Sequence, residues 1–236
     1  MAVILDHLTA ILVGASLLGV LLFVQQRGNQ TSVEATIHHS VQTQSFSLAE
    51  TLERDIENIR NSNLTGEPAH VEVDGENTAT LRFITLEDHT LGDSSPLVAV
   101  AYRLENTHQQ VLVNGVPETV YRLARYVNDG SGYVLSGSSA ETLVGFNVSL
   151  ISADTRSEIT NGREPDEFGI VQVVFSSAQP HAAMAAGDQA NRRRSNQTRQ
   201  GLTLRPPGLS VERTSSSPTV PSLWASLPES PYETTP

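Results

Sequence analysis

The stretch LTAILVGASLLGVLLFV, residues 8–24, decides the fold. It is an uninterrupted apolar run without a charged residue, and no proline separates it from a second, amphipathic helical segment ending near Asn61. About 17–25 apolar residues suffice to cross the hydrocarbon core of a bilayer, so the run meets the lower limit. Its polar members, Thr9 and Ser16, can return their hydroxyls to carbonyls of their own helix. A cleaved secretory signal is the rival reading, and it calls for a basic start, a shorter apolar core and a small-residue cleavage site. The preceding MAVILDH, residues 1–7, contains no arginine or lysine. Residues 1–27 are therefore read as a transmembrane anchor.

Beyond Val24 the apolar residues retreat to one side. Val33, Ile37, Val41, Leu48, Leu52, Ile56 and Ile59 recur mostly at spacings of three, four or seven, with Gln44 filling the missing turn. That is the stripe of a helix packed against something. Glu50 and Arg54 stand four apart in the favourable order, and Asn61, Ser62, Asn63 and Gly66-Glu67-Pro68 are expected to stop the helix. Residues 28–63 thus read as an amphipathic stalk, with Gly28 either a bend outside the membrane or a tolerated local cost. One helix from Ala2 to Asn61 would be roughly 90 Å long, about a third of it in the bilayer.

From His70 to Ala178, within a head of residues 64–179, the period shifts to two. The candidate strands are residues 70–73, 80–84, 97–104, 110–113, 119–127, 133–135, 142–151 and 169–175, alternating as half-buried strands do. Asp74-Gly75, Asn114-Gly115, Asn128-Asp129-Gly130 and Asn161-Gly162 supply the turn chemistry of tight hairpins, which makes the sheet mainly antiparallel. The predicted fold class is α+β, with the long N-terminal helix laid by its apolar stripe on a β-rich head.

Residues 180–236 follow neither period and are rich in Ser, Thr, Pro, Arg, Gln and Gly. Such a segment buries too little surface to offset its ordering entropy, so a disordered tail is expected. Arg192-Arg193-Arg194 carries no interleaved aromatic residue, and the acidic remainder would repel phosphate, which argues against nucleic acid as a partner. Trp224 and Tyr232 are the tail's candidates for docking on a partner.

Composition narrows the chemistry. The absence of cysteine excludes disulfides and thiol chemistry. All 15 basic residues are arginine, set against 26 acidic ones, for a net charge of −11. An acidic, lysine-free surface suits strong electrolyte, and a GC-rich genome gives the same composition. The seven histidines are scattered, with His38-His39 pointing about 100° apart on a helix, and no metal-ligand spacing occurs. Ser136-Gly137-Ser138-Ser139 and Gly130-Ser131-Gly132 read as loops, not nucleophile elbows. Glu87-Asp88-His89 with Asp93 reads as a solvated acidic turn before a calcium site. The four Asn-x-Ser/Thr triplets, at Asn29, Asn63, Asn147 and Asn196, fit the glycosylation sequon, but Asn147 falls within a candidate strand and all four read as accidental. No catalytic, metal or cofactor residues are assigned, and the chain is expected not to be an enzyme.

The apolar helix running into a stalk that ends Leu52-Glu53-Arg54-Asp55-Ile56, followed by a strand-rich head, resembles the type IV pilin-like family. Its nearest class is the minor pseudopilins of type II secretion and the minor pilins. The phrases VAVAYRL, residues 98–104, and VYRL, residues 120–123, are similar to paired segments in the heads of J-type minor pseudopilins. The resemblance covers roughly residues 2–178. It implies a non-enzymatic subunit that associates with other pilin-like subunits through its N-terminal helix, without a cofactor. It also implies a single pass through the bacterial inner membrane, in contact with lipid, with the head on the extracytoplasmic side. Arg27, taken alone, would favour the opposite orientation.

Family members carry a basic leader ending in glycine and a glutamate at the fifth mature position. This sequence shows no such leader, so either the start codon lies upstream or the anchor never meets a prepilin peptidase. With Met1 removed, Ala2 becomes first and Asp6 fifth, which makes Ala2 and Asp6 the expected assembly residues. A carboxylate at the apolar start of a membrane helix is costly unless paired; at headgroup level it would instead cap the helix. The alternative function is a single-pass membrane protein whose β-rich head binds a ligand or partner alone.

Overall fold

The computed structural model of the chain describes residues 2–60, 69–113, 116–152, 154–159, 169–178, 197–206, 222 and 224–232. They form one helix, a 3-10 turn at His89–Ser94 and nine strands. By compactness the chain divides into two units, Met1–Ser40 and Val41–Pro236.

Helix α1 spans Ala2–Glu57 and runs unbroken through Gly28. Within it, Ile11–Asn29 is long and apolar enough to cross a membrane, with a mean hydropathy of 1.5. Its described apolar side chains, Ile11 to Val24, are exposed in the isolated chain, as lipid-facing residues would be. Ser16 Oγ donates to Leu12 O at 2.8 Å, so its hydroxyl is satisfied without water.

In the second unit, residues 41–57 of α1 lie on a wholly antiparallel sheet. The strands are β1 Ala69–Asp74, β2 Asn77–Leu86, β3 Leu97–Val113, β4 Val116–Asn128, β5 Tyr133–Ser138, β6 Leu143–Ile151, β7 Glu158–Ile159, β8 Ile170–Ala178 and β9 Gln197–Leu204. They are ordered β1-β2-β3-β4-β6-β8-β9, with β5 paired to β4 and β7 to β6. Period-two alternation gives the sheet a near face and a far face. Leu81, Phe83, Val100, Tyr102, Leu123, Phe146 and Phe175 meet Leu52 and Ile56 of the helix in the main core. Ile84, Ala99, Ala101, Ala124, Tyr126 and Tyr133 form a smaller apolar cluster elsewhere on β2–β5. Alternation assigns that cluster to the far face. Turn chemistry is as expected at Gly75, whose φ of 61° closes the β1–β2 hairpin. Two side chains of β2 serve β6: Asn77 Oδ1 accepts from Phe146 N at 3.0 Å and Thr78 Oγ1 from Val148 N at 2.9 Å.

Four expectations are corrected. The helix ends at Glu57, before the stop signals of residues 61–63, which lie outside the described residues. Thr85 Oγ1 reaches Asn58 O at 3.0 Å and Asp55 O at 3.3 Å, and Ile59 bridges to Thr85. A strand thus takes the carbonyls that a further helical turn would have used. Segments 97–104 and 110–113 are one strand interrupted by a bulge between Asn106 and Gln109. Ser136-Gly137-Ser138 is not a loop but the end of β5, paired across to Ala124 and Arg125. Lastly, part of the tail is ordered. β9 pairs with β8 over eight positions, because Leu202 and Leu204 reach the main core. Residues 222–232 pack back on the sheet through Ala225 and Leu227. Residues 180–196, 207–221 and 233–236 lie outside the described residues.

A chain ending at Gln179 loses β9 and leaves β8 as a bare edge, so its thermal unfolding midpoint should fall clearly below that of the full chain; an unchanged midpoint would show that β9 adds nothing. Leu52→Ala or Ile56→Ala, both at fully buried positions, should cost about 2–5 kcal/mol in denaturant unfolding.

Candidate functional site

The expected assembly residues Ala2 and Asp6 lie in the first turns of α1, and their side chains are outside the described residues, as are those of Val33 and Ile37. The other stripe residues belong to the second unit. Val41, Leu52, Ile56 and Ile59 are buried and Leu48 is half-buried. Ile59 is reached not along the helix but in the turn that leaves it. In the acidic turn, Asp88 Oδ1 accepts from Thr90 N at 2.8 Å and Thr90 Oγ1 at 2.6 Å, and the side chains of His89 and Asp93 are outside the described residues.

Two buried carboxylates on opposite faces of the β3–β4 hairpin organise the second unit. On the near face, Asp55 projects from α1 onto the sheet. Its Oδ2 accepts from Tyr102 Oη at 2.7 Å and from Arg125 Nε at 2.5 Å, and Arg54 Nε lies 3.6 Å from Oδ1. Tyr102 and Arg125 are direct cross-strand partners, so one carboxylate clamps the helix to both strands. Burial first, then the Asp55 charge, pushes the Tyr102 phenol well above its ordinary range. It remains a neutral donor. Burial would lower the Arg125 guanidinium, but the hydrogen bond and charge of Asp55 outweigh it and raise it.

On the far face, Glu105 is the acceptor. Arg103 Nη2 donates to Oε1 at 2.7 Å and Tyr126 Oη to the same oxygen at 2.9 Å. Arg122 approaches Oε2 with Nη2 at 2.6 Å and Nε at 3.0 Å, a charge-assisted fork. Burial works to raise the Glu105 carboxyl, yet the hydrogen bonds from Arg103, Arg122 and Tyr126 prevail and hold it below its ordinary 4.5.

The C-terminal segment lies over this platform. Arg103 Nη1 donates to Pro228 O at 2.5 Å and Asn128 Nδ2 to Ser222 O at 3.2 Å. The Arg122 guanidinium stacks 4.8 Å from the centroid of the Tyr232 ring, and the Tyr232 hydroxyl donates to Glu141. Trp224 meets His70 edge-on at 4.6 Å. A cleft of about 320 Å³ beside the segment is lined by Asp74, Asn77, Arg103, His108, Ser230 and Tyr232. Another, of about 360 Å³, lies on the near face between α1 and β5, where Thr51, Arg54, Arg125 and Ser136 line it.

The described oxygens of Asp55 and Glu105 are engaged by cations or a phenol, so these carboxylates fix elements in place. Sequence reading missed both. Asp55 follows Leu52 by three, which puts it on the apolar stripe, and that was its available signal. Comparison with protein-family models, with curated proteins and with solved structures finds no match to this chain.

The Glu105 linkage has a definite sign. A carboxyl held low in the folded state contributes stability that is complete above its ordinary 4.5 and is lost as pH falls through the folded value. The unfolding midpoint should therefore drop below about pH 4.5. Glu105→Gln should be less stable at neutral pH and show a shallower acid slope; an acid slope equal to the parent's would remove Glu105 from this role.

Proposed function

We propose that the chain is a non-enzymatic, pilin-like subunit, held in the bacterial inner membrane by the N-terminal part of α1 with its sheet domain on the extracytoplasmic side. In this reading it joins other pilin-like subunits through that helix in a type II secretion pseudopilus or type IV pilus-like assembly. The observation that carries the reading is the double use of one helix. α1 runs unbroken from Ala2 to Glu57, offers an exposed apolar stretch at Ile11–Asn29, and gives Leu52 and Ile56 to the core of an antiparallel sheet. A simple anchor needs no such continuity with a core. The alternative, a single-pass protein whose domain binds a partner alone, draws support from the far face, where a segment of the chain is already accommodated.

Asp6 separates the two. A free Ala2 amine and an Asp6 carboxylate on staggered neighbouring helices would neutralise each other where each alone is costly. Asp6→Leu should insert normally and leave the sheet domain folded, yet lose cross-linking to pilin-like subunits in membranes of the host at equal expression. Undiminished cross-linking would leave Asp6 a headgroup-level residue. Failure of the parent itself to cross-link would favour the solitary binding protein.

A further inference from the structure

Three features of the far face belong together. First, its polar contacts with residues 222–232 go mainly to backbone carbonyls: Arg103 to Pro228 O, Asn128 to Ser222 O, and His108 Nε2 in hydrogen-bond contact with Tyr232 O at 2.9 Å. Such contacts read backbone carbonyls more than a particular side-chain sequence. Second, the apolar anchoring is shallow. Ala225 and Leu227 lie against the Ile84, Ala101 and Tyr126 cluster only half-buried, and Trp224 remains 54% exposed. Third, the receptor is shaped in advance. His108 has a left-handed φ of 58°, unusual for a residue other than glycine. The bulge holding it is braced by Asn106 Oδ1, which accepts from His108 N at 2.8 Å, and by Thr107 Oγ1, which donates to Val120 O at 2.7 Å. Bulges re-aim side chains, and local strain of this kind gathers at ligand clamps. Here the re-aimed side chain meets Tyr232.

We infer that the far face of the sheet is a docking groove for a proline-bearing peptide, and that its occupant in an assembly is the 222–232 segment of a second copy of this chain. The chain's own segment fills the groove and so defines the chemistry of that occupant. Pro228 and Pro231 remove backbone donors, which suits a groove that offers donors. Residues 207–221 join the segment to the strand region and at full extension reach roughly 50 Å, enough to pass to a neighbouring molecule. Exchange between copies would remake the same contacts and expose no new surface, the condition under which swapping is inexpensive. A helix able to lie in a membrane would confine copies to one plane and raise their local concentration. This inference does not rest on the pilin-like reading.

The absence of cysteine from the chain gives a clean test. Ala79 and Ser230 line the same cleft. Full-length Ala79→Cys and Ser230→Cys chains, carrying different tags, are co-expressed and treated in membranes with a short bismaleimide. A product bearing both tags is the expected result; cross-linking confined to a doubly substituted single chain, at every expression level, would overturn exchange between copies. In a second arm, a specific protease site placed within residues 207–221 of the full chain allows the connection to be cut. The released fragment should stay bound through gel filtration and be displaced by a synthetic peptide of residues 222–232. The same peptide with Tyr232→Ala should bind about tenfold more weakly, the loss of a cation–π contact and a hydrogen bond. A fragment that separates at once, with no measurable peptide binding to the cut protein, would show that there is no groove.

Discussion

A carboxylate taken out of water must be met by cations and donors or it destabilises the fold, and the sheet domain is arranged around two of them. Asp55 and Glu105 lie on opposite faces of one hairpin and draw on alternate residues of the same two strands. Tyr102 and Arg125 serve the near face; Arg103, Arg122 and Tyr126 serve the far face. Removing either acid would strand arginines inside the fold. The near-face cluster sets how α1 lies on the sheet, and the far-face cluster sets the surface over which the C-terminal segment runs.

Register is what makes these pairings possible, and the bulge determines register. Beyond it, Val113 pairs with Val116 and Gln109 with Val120. Before it, Asn106 pairs with Tyr121, Glu105 with Arg122 and Tyr102 with Arg125. Were Thr107 and His108 paired in a regular ladder instead of bulged out, the hairpin would set Glu105 opposite Ala124 and Tyr102 opposite Val127. Because the slip is of two residues, every side chain would keep its face, so the apolar core would hardly register the change. Only the ionic pairs would be lost. The bulge is therefore a device of electrostatics, and its left-handed His108 also supplies a contact to Tyr232.

This explains what could be read from the sequence and what could not. The apolar run at residues 8–24, the stripe through Leu52 and Ile56, and most strands were legible because hydrophobic period reports directly on burial. Gly75 was legible because a tight hairpin needs its φ. The helix end was not, since Thr85, distant in sequence, takes the terminal carbonyls. The bulge was not, because Thr107-His108 carries no glycine and splits one strand into two apparent ones. The C-terminal strand and segment were not, because Leu202, Leu204, Ala225 and Leu227 are too sparse to show a period. They are ordered by a sheet already formed. Asp55 and Glu105 stood in plain positions, on the stripe and in the alternation, but a charged residue there signals burial only once its partners are known.

The lysine-free composition takes on structural meaning at these sites. Arg103 gives Nε and Nη2 to Glu105 and keeps Nη1 for Pro228 O. Arg122 forks onto Glu105 while its flat guanidinium stacks on Tyr232, and Arg125 reaches both Asp55 and Ser136. A lysine ammonium is a single point charge and cannot hold a planar fork, a stack and a second acceptor in fixed relation. Whatever drove lysine from the chain, each of these arginines ties a buried carboxylate to a second element. A Lys replacement would preserve the charge but uncouple the buried carboxylate from that second element.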